Sequence, residues 1–165
     1  MSPRFTLTTG ALLMAAAVAL GALGAHALKS RLAPDLLELW HTAVTYHAWH
    51  ALALVAVGTL QLLLPRRSGF GRAALLFIGG IALFSGSLYA MALGGGRGWG
   101  YVTPFGGLAF IAGWLVLAAA VARGPHPDPH PLTPTLSRGA VEGGRPLTPA
   151  LSRGAGEGDE RERGG

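Results

Sequence analysis

Four stretches of this chain, residues 5–28, 39–65, 73–96 and 98–122, hold no Asp, Glu, Lys or Arg, and each is 24 to 27 residues long. A helix needs about 20 residues to cross the hydrocarbon core of a bilayer. One charge at mid-depth costs about 2.5–3.5 kcal/mol, whereas each Leu, Ile, Val or Phe contributes about −0.3 to −0.6 kcal/mol. In lipid the backbone must satisfy its own hydrogen bonds, and the runs are too long and uniform for barrel strands, so they read as helices. The predicted fold is all-α, a four-helix transmembrane bundle over residues 1–123 with helices near 5–28, 35–64, 73–93 and 104–122.

Charge and composition sharpen this division. Up to Arg123 there are eight Lys or Arg and only Asp35 and Glu38, a net +6; the remaining residues hold five Arg and six acids, a net −1. The basic residues sit in short gaps between apolar runs. That arrangement suits membrane flanks and excludes the continuous basic face of a nucleic-acid binder. No Cys is present, which removes disulfides, thiolate metal sites and a Cys nucleophile. The segment 124–165 is expected to be a disordered tail: it is rich in Pro and Gly, and 131–144 recurs as 146–159 with 11 of 14 positions identical.

The ends of the runs carry their own signals. Arg4 and Ala25-His26-Ala27 imitate a signal peptide, but the apolar stretch exceeds the usual h-region of about 7–15 residues, so a retained span is expected. Pro34 and Asp35 suit the first turn of the second helix, and Trp40, Tyr46 and Trp49 suit an aromatic belt. Thr103 reads as an N-cap before Pro104. With the N-terminus inside, the inner segments hold Arg4, Arg66, Arg67, Arg72 and Arg123, against Lys29, Arg31 and Arg97 outside. That balance predicts both termini in the cytoplasm.

Signs of chemistry are sparse. The Gly-rich segment 94–100 lacks the Lys-Ser/Thr of a phosphate-binding loop, and Asp35 and Glu38, the only acids of the membrane domain, make no paired-carboxylate site. The pairs Ala17/Gly21, Gly21/Ala25, Ala82/Gly86, Gly86/Ala90 and Ala109/Gly113 suit close helix contacts. The histidines are the one constellation: His26 ends the first span, His41, His47 and His50 line the second, and His47 and His50 share a face at i,i+3. That spacing is open to metal binding, proton handling or ordinary interfacial roles.

Four ordered blocks resemble a known family: Gly21-Ala22-Leu23-Gly24-Ala25-His26; Thr42-Ala43-Val44, Tyr46 and His50-Ala51-Leu52-Ala53-Leu54; Leu83-Phe84-Ser85-Gly86-Ser87-Leu88-Tyr89; and Thr103-Pro104-Phe105-Gly106-Gly107. Together they are similar to the domain of unknown function 423 family and its eukaryotic relatives, the transmembrane protein 256 group, over residues 5–122. The resemblance implies a four-span bundle in the bacterial inner membrane with no established reaction, substrate or cofactor. It puts His26, His50, Ser85, Ser87, Tyr89, Thr103 and Pro104 at motif positions, whereas His41 and His47 depart from the pattern.

The candidate site is therefore a polar cluster of His26, His50, Ser85, Ser87, Tyr89 and Thr103, with both histidines facing inward in one hydrogen-bonded network. No catalytic residue, metal or cofactor is expected. The expected role is a non-enzymatic inner-membrane protein. The alternatives are a small oligomeric carrier or proton-linked permeation unit, and a membrane assembly or lipid-interaction factor. The expected partners are the lipid bilayer and a second copy or another membrane protein, with no nucleic acid.

Overall fold

The structure, a computed structural model, describes residues 1–123; the tail expected to be disordered, with its duplicated segment, lies outside the described residues. Within them the chain is helical, with no strand. Helix α1 (Pro3–Leu28) starts with Ser2 accepting the Phe5 amide at 3.3 Å, and its last turn, Gly24–Leu28, widens into a π-helix. Helix α2 (Pro34–Leu63) places Pro34 where a missing N–H costs nothing and Asp35 in the positive first turn. Helix α3 (Phe70–Ala92) contains a π turn at Ile81–Ser85. A 3-10 turn, Arg97–Tyr101, leads into α4 (Thr103–Ala122). All four helices are long and apolar enough to cross a membrane.

Two helix starts differ in kind from the expectation. Helix α3 starts at Phe70, three residues before the uncharged run, because Gly69 at φ 108° breaks the chain there and exposed Arg72 is accommodated in the first turn. Thr103 is not an N-cap. Val102 is already helical at φ −82° and ψ −35°, no side chain caps the helix, and the Thr103 hydroxyl turns instead to Ser87.

The helices run alternately up and down. α1 packs on α2, α2 on α3, and α3 on α4. At one end Arg67 donates to the Val121 carbonyl at 2.6 Å, and a Cβ added at Gly69 would meet the Ala120 side chain at 3.0 Å. That end therefore gathers the start of α1, the α2–α3 turn and the end of α4. The other end holds the α1–α2 turn and the glycine-rich segment, whose Gly94 and Gly96 adopt φ 90° and 80°.

The main core lies between α2, α3 and α4, around Leu54, Val57, Phe70, Phe77 and Phe110. A smaller cluster of Leu28, Trp40 and Ala92 closes the opposite end. Leu12, Val18, Leu108, Ile111 and Leu115 point outward, which is where lipid meets a bundle of this kind. Backbones approach closely at glycines. A Cβ at Gly10 would come within 2.9 Å of the Val55 amide, one at Gly113 within 2.7 Å of Phe77, and one at Gly106 would collide with the Phe84 backbone. Of the small-residue pairs read from the sequence, Ala17 and Gly113 serve in this way. Gly86 meets no neighbouring helix, and Ala25 and Ala82 are exposed.

Candidate functional site

The buried residues of α2 include Trp40, Ala43, His47, His50, Leu54 and Val57, a stripe that advances three or four positions at a time. Such spacing keeps side chains on one helix face. His47 and His50 fall on it; His41 does not and is exposed.

His50 is 4% exposed, and both of its nitrogens are used. Its Nδ1–H donates to the Tyr46 carbonyl at 2.8 Å, and Nε2 accepts from the Trp114 indole N–H at 3.2 Å. This pair of contacts specifies the neutral imidazole with its proton on Nδ1. The ring stacks on Phe110 with centroids 3.5 Å apart and planes 10° apart, and Phe77 lies at 5.6 Å. His50 thus ties α2 to α4 across the core.

The other expected residues do not join it. His47 lies 3.4 Å (Nδ1) from the Tyr89 hydroxyl, while its buried Nε2 has no hydrogen-bond partner. The Tyr89 ring leans on Trp40 at 4.7 Å, and the Trp40 N–H donates to the Leu20 carbonyl at 2.9 Å. The Ser87 hydroxyl bonds the Phe84 carbonyl at 2.9 Å and the Thr103 hydroxyl at 2.7 Å, pinning α3 to α4. The Ser85 hydroxyl is fully buried and unpartnered. No hydrogen bond among the described residues links these arrangements into one network.

His26 is the clear departure: it is exposed on the π turn and does not face inward. The buried positions of α1 are Thr6, Gly10, Ala17, Gly24 and Leu28, a stripe recurring at four and seven that skips His26. Trp40 also belongs to the interior, at 2% exposure, and not to an aromatic belt, because Gly24 leaves room for its ring. Trp114, Phe110 and Tyr46, which complete the His50 site, were absent from the expected cluster. A run as uniformly apolar as α4 gives no hint of which indole finds a partner.

Chemically the interior is poor. The acids of the described residues, Asp35 and Glu38, are both exposed. Among the described residues no three His, Asp or Glu are arranged to hold a metal. The caged imidazole donates to a backbone carbonyl and accepts from an indole, which makes it a clamp between helices.

The family described as Protein of unknown function (DUF423) matches residues 20–107, a span that includes His50, Ser87 and Thr103 but stops before Phe110 and Trp114. The UPF0382 membrane protein YwdK of Bacillus subtilis is 41% identical over 117 residues, covering 69% of this chain and 93% of that protein. The UPF0382 membrane protein SSP2132 of Staphylococcus saprophyticus is 43% identical over 108 residues, 66% of this chain and 88% of its own. The UPF0382 inner membrane protein YgdD of Escherichia coli K12 is 37% identical over 125 residues, covering 74% and 93%. No solved structure matches the chain. By the family match and by relatives covered almost end to end, this four-helix membrane protein belongs to the uncharacterised DUF423 family.

Proposed function

We propose that the protein is a non-catalytic resident of the bacterial inner membrane that acts by packing against a second membrane protein or another copy of itself. The observation that carries this reading is His50, a buried polar side chain packed against Phe77 and Phe110 of the main core, whose two nitrogens are already consumed inside the bundle. A side chain so engaged joins helices and offers nothing to a passing solute. Abundant close contacts at glycine favour a rigid unit, and the outward Trp49 and Trp114, 59% and 48% exposed, supply aromatic surface for a neighbour. The inner-membrane location follows the name of the Escherichia coli relative. The end holding Arg4, Arg66, Arg67, Arg72 and Arg123 then faces the cytoplasm.

The test is crosslinking in native membranes from a photoreactive residue at Trp49 or Leu108. A discrete adduct with one membrane protein, or with a second copy, is expected. Lipid adducts alone would refute the packing role. A carrier is the second reading, favoured by the buried, unpartnered His47 Nε2 and Ser85 hydroxyl, since polar groups within spans line transport paths. Proton or solute flux in proteoliposomes that vanishes in His47→Ala or Ser85→Ala would support it over packing.

A further inference from the structure

The turn between α2 and α3 lines an open pocket of about 380 Å³ at the bundle end where α1 begins. Its wall includes Gln61 from the last turn of α2, Arg67 and Ser68 from the turn, and Gly71 from the first turn of α3. A second, shallower surface pocket of about 420 Å³, formed by residues 63–67, shares Leu64, Pro65 and Arg67 with the first. The first adds an amide and a hydroxyl, from Gln61 and Ser68, to the Arg67 guanidinium, and the second sets Leu63, Leu64 and Pro65 beside Arg66 and Arg67.

The polar pocket has specific needs. The Gln61 Oε1 is buried without a hydrogen-bond partner, and turning the amide into the pocket that Gln61 lines would give it a donor. Arg67 spends one of its amino groups on the Val121 carbonyl at 2.6 Å. A guanidinium has five N–H donors, so others remain to meet an anion. Arg4, Arg66, Arg72 and Arg123 belong to the same end, and a concentration of basic residues at a membrane boundary attracts anionic headgroups. Leu62 and Leu63, 55% and 71% exposed, continue the apolar wall outward along α2.

We infer that this end of the bundle binds one anionic phospholipid: the phosphate diester on Arg67 and Ser68, a headgroup hydroxyl donating to Gln61, and an acyl chain along Leu62–Leu63. The chemistry required is a phosphate ester carrying a hydroxyl donor. A glycerol headgroup supplies it, and a choline headgroup, which has no donor, does not. The lipid site stands whether or not a second protein packs on the bundle.

The test uses full-length protein in detergent, titrated with dioleoyl phosphatidylglycerol and read by native mass spectrometry. A single retained lipid is expected, with phosphatidylcholine retained at least about tenfold more weakly, as the loss of one good polar contact implies. Gln61→Leu removes the acceptor. Gly71→Leu fills the pocket, since even a Cβ there would stand 3.3 Å from the Met1 nitrogen and 3.8 Å from Gln61 Nε2. Each should weaken phosphatidylglycerol retention about tenfold, while Arg97→Ala at the opposite end leaves it unchanged. If Gly71→Leu does not fold, Gln61→Leu decides alone. Wild-type retention in Gln61→Leu, or equal retention of the two lipids, overturns the site. Displacement of the lipid by millimolar glycerol 3-phosphate also overturns it, by pointing to a soluble ester.

Discussion

Replacing His50 with Phe tests the clamp between α2 and α4. The ring would still stack on Phe110, now 3.5 Å from the imidazole, so the aromatic contact survives. What disappears is the acceptor for the Trp114 N–H, at 3.2 Å, together with the donor to the Tyr46 carbonyl. That carbonyl sits in mid-helix and loses only a supplementary bond, but the indole N–H is stranded facing hydrocarbon. An unpaired donor of this kind costs about 1–3 kcal/mol. The direct interaction is smaller, because interhelical hydrogen bonds in membrane proteins average about 0.6 and reach about 1.7 kcal/mol in double-mutant cycles.

The expected results are a loss of about 1–3 kcal/mol for His50→Phe and a coupling of about 0.6–1.7 kcal/mol with Trp114→Phe. Unfolding by dodecyl sulfate titration in mixed micelles measures both. Trp49, 59% exposed one residue before His50, is the control, and Trp49→Phe should add to His50→Phe without coupling. Additivity within about 0.3–0.5 kcal/mol for the Trp114 pair would refute the clamp.

Other outcomes follow from the same geometry. Gly106→Ala, whose Cβ would collide with the Phe84 backbone, should destabilise by about 1–3 kcal/mol or more, whereas Gly79→Ala, with nothing within 4 Å, should be neutral or gain up to about 1 kcal/mol in the same titration. His26→Ala and His41→Ala, both exposed, should change stability by less than about 0.5 kcal/mol; a larger loss would return His26 to the interior. Cysteines at Ser68 and Gly98 should report the proposed orientation in intact spheroplasts, with an impermeant maleimide labelling only the Gly98 site. The reverse pattern would invert the bundle.

The spans were legible from the chain alone because crossing lipid is a one-dimensional constraint. Length and the absence of charge state it completely, so residues 5–28 and 39–65 announce helices without reference to any neighbour. The face of α1 that is buried was not legible, because residues 5–28 are apolar nearly all round, and the inward reading of His26 went wrong there. Which polar group meets which is a different kind of fact. His50 and Trp114 are 64 residues apart, and nothing in an apolar run distinguishes the indole that finds an imidazole from one that faces lipid. Likewise Gly106 and Gly86 look equivalent as small residues in apolar helices, yet one abuts the Phe84 backbone and the other meets no helix. The rotation of each helix about its axis decides such pairings. That rotation is set jointly by α2, α3 and α4 once Phe77, Phe110 and Leu54 have packed, so only the tertiary structure could determine it.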